Sequence, residues 1–216
     1  MKDDPRFDVP RYTVNVAAFH LKMPSSTLRT WTRKADLLTT LPAEGLEPRL
    51  PFVALIEAQL YQHFRREGLS MQAVTSGMRV VRQELGSSML KKGTLAHDGR
   101  DILMNLAEQG DPDWERACDR QGGIPKIIEV GMYPVEYLLD DYPGRLWLTA
   151  YGAELVMVDP RFAFGQPVLA SSNVRVEDIY GLWKAGDTMQ NISYEMNVPL
   201  DDIESIVRTH SVDLAA

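Results

Sequence analysis

Residues 12–34, YTVNVAAFHLKMPSSTLRTWTRK, hold two short apolar stripes at helical spacing on either side of Lys22-Met23-Pro24, and that layout leaves few folds open. Thr13 is a good N-cap, and Val14, Ala17, Ala18 and Leu21 recur at i, i+3, i+4 and i+7, giving one apolar side to a short helix. After the break, Ser25 or Ser26 can cap a second helix whose buried side is Leu28, Trp31 and Ala35. Helices this short are marginal alone, so the pair is expected to pack on a larger body as a helix-turn-helix.

The other side of the second helix carries Ser26, Thr27, Arg29, Thr30, Arg33 and Lys34, with no carboxylate before Asp36. Cations suit phosphates and guanine edges, hydroxyls suit phosphates or base edges, and a helix N-terminus tolerates anions. With Thr13 and Ser25 added, these are the candidate DNA-binding residues. The competing reading is a helical hairpin whose basic side only faces water.

Charge is divided along the chain. Residues 1–92 hold 14 Lys and Arg against 9 Asp and Glu, a balance of +5, whereas residues 93–216 hold 9 against 21, a balance of −12. A basic reading half joined to an acidic partner-binding or regulatory half gives this asymmetry. At 44% hydrophobic and 25% charged the chain has an ordinary globular composition. No apolar run approaches the ~20 residues that span a bilayer. The start resembles no signal peptide, so a cytoplasmic protein is expected. Cys118 is the one cysteine, which fits a reducing compartment and excludes an internal disulfide.

Residues 1–10 read as a flexible lead or short arm. Residues 37–51 carry Leu41-Pro42 and Gly45 to Pro48 punctuation and read as a hairpin or loop forming a wing. Pro51 suits a helix start, with Phe52, Leu55, Ile56, Leu60 and Phe64 at helical spacing and Arg65 and Arg66 in the last turn. Ser70 caps a further helix through Met71, Val74, Met78, Val81 and Leu85, ended by Gly86. Arg79 and Arg82 are expected to be exposed, as further phosphate contacts or as solvated charge. This order resembles the MerR-like winged helix-turn-helix. The resemblance is carried by Tyr12-Thr13-Val14, Ala17-Ala18, Pro24-Ser25-Ser26-Thr27-Leu28-Arg29, Trp31, Phe52-Val53 and Gly68-Leu69-Ser70.

From Thr94 to Val158, short strand-like runs alternate with Gly, Pro and Asp clusters: Ile102-Leu103-Met104, Ile127-Ile128-Glu129-Val130, Arg145-Leu146-Trp147-Leu148 and Leu155-Val156-Met157-Val158. Residues 111–118 read as one or two helical turns. His97-Asp98 and Asp140-Asp141 lack further ligands at useful spacing and read as turn residues. No Ser-His-Asp order, phosphate loop or metal spacing is present, so neither an enzyme nor a cofactor is expected.

In the last third, Ile179, Leu182 and Trp183 mark a helix beginning near Glu177. Thr188 caps a helix with Ile192 and Met196, and Leu200 to His210 forms another with Ile203, Ile206 and Val207 inward. This second helix-turn-helix places Asp201, Asp202 and Glu204 where a DNA reader would meet phosphates, so it reads as a packing or protein-contact unit.

Asp159-Pro160, Gly165-Gln166-Pro167-Val168 and Ala185-Gly186-Asp187 make this tail similar to the domain of unknown function four-thirty-three, with Ser171-Ser172 in place of that family's usual Gly-Thr. A MerR-like head with this tail is similar to VapB-type antitoxins. The resemblance implies an antitoxin of a toxin-antitoxin module that binds double-stranded operator DNA, neutralises a PIN-domain ribonuclease toxin and autoregulates its operon. The alternative is a MerR-like transcriptional regulator without a toxin partner. The expected fold is mainly α with some β. It comprises a winged helix-turn-helix over residues 8–92, a β-rich connector over 93–157 and a helical domain over 158–216, working as a homodimer.

Overall fold

A computed structural model of the chain describes residues 4–33, 37–42, 49–107, 111–123, 134–152 and 155–213. The expected helical pair is formed by α1 (Val14–His20) and α2 (Ser25–Arg33). Thr13 caps α1, its Oγ1 accepting the Val16 N–H at 3.2 Å. At the other end Lys22 adopts φ 49°, and the N–H groups of Lys22 and Met23 return to the carbonyls of Phe19 (3.1 Å) and Ala18 (3.0 Å). This Schellman turn uses a lysine where glycine would relieve the left-handed backbone. Neither serine caps α2. The Pro24 carbonyl accepts from Thr27 (3.0 Å) and Leu28 (3.2 Å), so Ser25 and Ser26 lie inside the first turn.

Beyond the pair, antiparallel bridges join Tyr12 to Leu50 and Leu41 to Arg49. The expected wing tip, residues 43–48, lies outside the described residues, as do Lys34 and Ala35. The bridges deliver the chain to α3 (Phe52–Arg66), with Pro51 as its N-cap. Residues 52–61 and Phe64 are all buried, so α3 is the hub on which the other layers pack. After it α4 (Met71–Leu85) starts from Ser70, whose Oγ accepts the Ala73 N–H at 3.0 Å, and stops at Gly86 with φ 53°.

A hub buried all round encloses Glu57, and the structure satisfies it. Its carboxylate accepts from the Thr39 N–H (2.6 Å) and hydroxyl (2.7 Å) and pairs with Arg82 at 3.0 Å. Arg82 also donates to the Leu37 carbonyl at 2.9 Å, and the Tyr61 hydroxyl reaches the same oxygen. Arg82 is therefore a half-buried residue bridging α4, α3 and the Leu37–Thr39 segment, not the exposed phosphate contact expected from sequence. Arg79 is exposed. The lead is also docked from residue 4 onward. The Arg6 carbonyl accepts the Val53 N–H at 3.1 Å, its guanidinium pairs with Asp4 (2.7 Å) and Asp140 (2.6 Å), and Phe7 meets Tyr142 edge-on at 5.7 Å.

Two small antiparallel sheets follow. The first orders β1 (Leu95–His97), β2 (Ile102–Asn105) and β3 (Trp114–Arg116), with Leu103 opposite Arg116 and Asn105 opposite Trp114. Residues 111–118 thus supply a strand in place of the expected helical turns, because β2 offers Trp114 to Arg116 an open edge that local propensity does not register. The second sheet orders β4 (Val135–Tyr137), β5 (Pro143–Trp147), β6 (Val156–Val158) and β7 (Val168–Leu169), and it straddles residue 157. Residues 127–130 lie outside the described residues. Asp98 is a turn residue: its Oδ1 accepts from the N–H groups of Arg100 (2.8 Å) and Asp101 (2.9 Å). In the turn after β7 the left-handed position is taken by Asn173 (φ 58°), so Ser171 and Ser172 need no glycine.

The chain closes with α5 (Val176–Lys184), α6 (Met189–Met196) and α7 (Leu200–Asp213). Thr188 caps α6, and left-handed Asn197 ends it. Ile179, Ile192, Val198, Ile203, Ile206 and Val207 join the apolar core that runs continuously back to Tyr12. No helix among the described residues is long and apolar enough to cross a membrane.

Candidate nucleic-acid interface

The surface in question is the outer side of α2. Leu28 and Trp31 anchor the inner side, both buried, with Trp31 against Tyr61 of α3 at 5.6 Å in an edge contact. Fixing one side on the hub sets the rotation of the helix, and with it what faces outward. Ser25, Ser26, Thr30 and Arg33 are exposed, while Thr27 and Arg29 are half-buried. Ser26, Thr30 and Arg33 stand at helical spacing on one side, with Ser25 and Arg29 beside them. The structure thus gathers five of the eight candidates on one surface, flanked by Thr27. Thr13 lies at the start of α1 in its capping role, and Lys34 lies outside the described residues.

Local hydrogen bonds stiffen this face. The Thr30 hydroxyl donates to the Ser26 carbonyl at 2.9 Å, and the Thr32 hydroxyl donates to the Arg29 carbonyl at 2.9 Å. One contributor that the sequence did not suggest is Asn15 of α1, whose Oδ1 accepts from Arg29 at 3.1 Å. The available signal was modest: Asn15 is the lone amide in VNVAAFH, whose other residues apart from His20 are apolar. Arg29 and Asn15 tie the outer faces of the two helices together, so the guanidinium is oriented by α1 as well as by its own helix.

The tail differs in sign. In the first turn of α7, Asp201 is exposed and Asp202 half-exposed; burial, reinforced by Asp201, raises the Asp202 carboxyl above its usual range. Glu204 is exposed one turn on. Nothing on the exposed face of α7's first turn would attract a polyanion. A hydrogen bond with Asp101 pushes the Cys118 thiol up to about 11, away from the thiolate form.

Residues 156–208, from β6 through most of α7, match the family described as "Protein of unknown function (DUF433)". Over 221 aligned residues, covering 92% of each protein, the chain is 33% identical to "Putative antitoxin VapB45" of Mycobacterium tuberculosis. The chain belongs to the family of that antitoxin. Its fold agrees with the crystal structure of Rv2018 from Mycobacterium tuberculosis, at 28% identity, with a TM-score of 0.69 over 94% of this chain and 99% of the other. Because these similarities run through head, sheets and tail alike, the family relationship covers the whole architecture and not only the tail segment.

Proposed function

We propose that this protein is the antitoxin of a toxin-antitoxin module, with a MerR-like winged helix-turn-helix head that reads operator DNA through α2. The observation that carries the reading is the outer face of α2: hydroxyls at Ser25, Ser26 and Thr30, cations at Arg29 and Arg33, and no carboxylate in the helix, all held rigid by Leu28 and Trp31. A helix of this kind fits the major groove, and two copies in a homodimer would address half-sites about one helical turn apart. The −12 balance of residues 93–216 suits a basic protein partner, and a PIN-domain ribonuclease toxin is the partner that membership of the antitoxin family favours. Toxin occupancy would then tune repression of the shared operon. The alternative, a MerR-like regulator without a toxin, draws support from the cleft described below.

The deciding experiment measures binding to DNA from upstream of the protein's own gene, by fluorescence anisotropy across a salt series, for the wild type and an Arg29→Ala/Arg33→Ala variant. Each phosphate contact contributes about 0.9 to the slope of log affinity against log salt, so the variant should bind more weakly and flatten the slope by up to about 2 per protomer. An unchanged affinity and slope would remove α2 from the interface. The toxin reading is tested separately, by co-purification with the product of the adjacent reading frame.

A further inference from the structure

A cleft of about 490 Å³ opens where the head meets the tail, between α1, the start of α5, the end of α7 and the Gln166-Pro167 loop. Its volume lies in the range of small-molecule sites. Val16, Phe19, Pro167 and Val176 give it apolar walls, and Arg11 and Arg49 supply two guanidinium groups against the single carboxylate of Glu177.

Three side chains that line it carry polar atoms left without a partner. Of the seven shielded side-chain nitrogen and oxygen atoms that lack a hydrogen-bond partner among the described residues, three are Arg11 Nε, His20 Nδ1 and the Tyr180 hydroxyl. Native proteins seldom leave such groups unsatisfied, and their convergence on one cleft asks for an explanation. His20 is 6% exposed, and burial, helped by nearby His210, holds its imidazole down to about 3, so it meets a ligand as a neutral ring. The floor is rigid. His210 stacks on Tyr180 at 4.4 Å, lies 5.1 Å from Phe19, and shares a 3.0 Å hydrogen bond with the Tyr151 hydroxyl, so α7, α5, α1 and the 149–151 turn are locked together around the opening.

We propose that this cleft is a binding site for a small organic anion, a carboxylate or phosphate carried on a flat apolar body. The acidic group would meet Arg11 and Arg49, the body would lie along Phe19 and Pro167, and, on a small shift of the lining side chains, its polar atoms would complete the shielded His20 Nδ1 and Tyr180 hydroxyl. The site adjoins the outer face of α2, sharing Thr13 and the Asn15 that holds Arg29, but the ligand contacts named above use no residue of α2.

The test uses three probes with one apolar body, 1-naphthoate, 1-naphthyl phosphate and neutral 1-naphthamide, titrated into the full chain by calorimetry. At least one anion should bind saturably, and at least tenfold more tightly than the amide; which anion wins identifies the acidic group. Tyr180→Phe removes a hydroxyl that no described residue uses, so its melting temperature should hold or rise while affinity for the preferred anion falls about three- to tenfold, the worth of one hydrogen bond. Arg49→Gln should weaken the preference for anion over amide, leaving the part that Arg11 supplies. Failure of both anions to bind, equal binding of the amide, or undiminished affinity in Tyr180→Phe would each overturn the assignment.

Discussion

Replacing Arg82 with leucine separates a core role from a surface one. Glu57 is 1% exposed, and its carboxylate is held by two Thr39 donors and by Arg82 at 3.0 Å. Without the guanidinium, a carboxylate kept from water retains two neutral donors, and the Leu37 carbonyl loses its 2.9 Å bond. Breaking one side of a buried pair costs about 3–5 kcal/mol. Against a typical domain stability of about 5–15 kcal/mol the loss is large.

The pH dependence has a definite sign. Burial raises the Glu57 carboxyl above its ordinary 4.5, against the pull of Arg82. The folded state therefore holds the proton more firmly than the unfolded chain. The stability linked to that proton is complete below 4.5 and is lost as pH rises through the folded value. Without Arg82 the folded value climbs further, so the variant should be less impaired at about pH 5 than at about pH 7.5 when unfolded in urea and followed by circular dichroism. Adding Glu57→Gln to the leucine variant should recover part of the loss. A cost under about 1 kcal/mol that is the same at both pH values would refute the buried-pair argument. Weakened DNA binding with unaltered stability would return Arg82 to the phosphate-contacting role.

Two further outcomes are expected. His20 has its imidazole lowered from 6.5 to about 3, so its contribution is complete above 6.5 and is lost as pH falls through 6.5 toward 3. The wild type should lose a few kcal/mol over that window and His20→Gln should lose less, measured by urea titrations along a pH series. Lys22→Gly relieves the left-handed turn between α1 and α2 (φ 49°) and should gain about 0.5–1 kcal/mol in chemical denaturation, whereas a loss would mean that the lysine side chain stabilises the turn.

The helices were legible because their signals are local. Thr13, Ser70 and Thr188 cap the helices that follow them, Gly86 ends α4, and the apolar spacing of Leu28 and Trp31 marks the buried side of α2. The outward set of serines, threonine and arginines on α2 follows from that same spacing. The strand at Trp114–Arg116 was not legible, since a three-residue run acquires its conformation from the neighbour it pairs with. Nor was the place of Arg82. Its helical position marks it as peripheral, and only the arrival of Glu57 and Thr39 from other parts of the chain draws the cation inward to pair there.

The sequence by itself determined the helical pair, the capped starts of α1, α4 and α6 and the division of charge between the two halves, because each depends on residues within a few positions of one another or on simple counting. The tertiary structure decided which cations face solvent, how Asn15 holds Arg29, and where Arg11, His20 and Tyr180 leave polar atoms around one cleft. Those outcomes join residues up to 169 positions apart, Arg11 to Tyr180, and no local propensity encodes a meeting that exists only after the head and tail have packed on a common core.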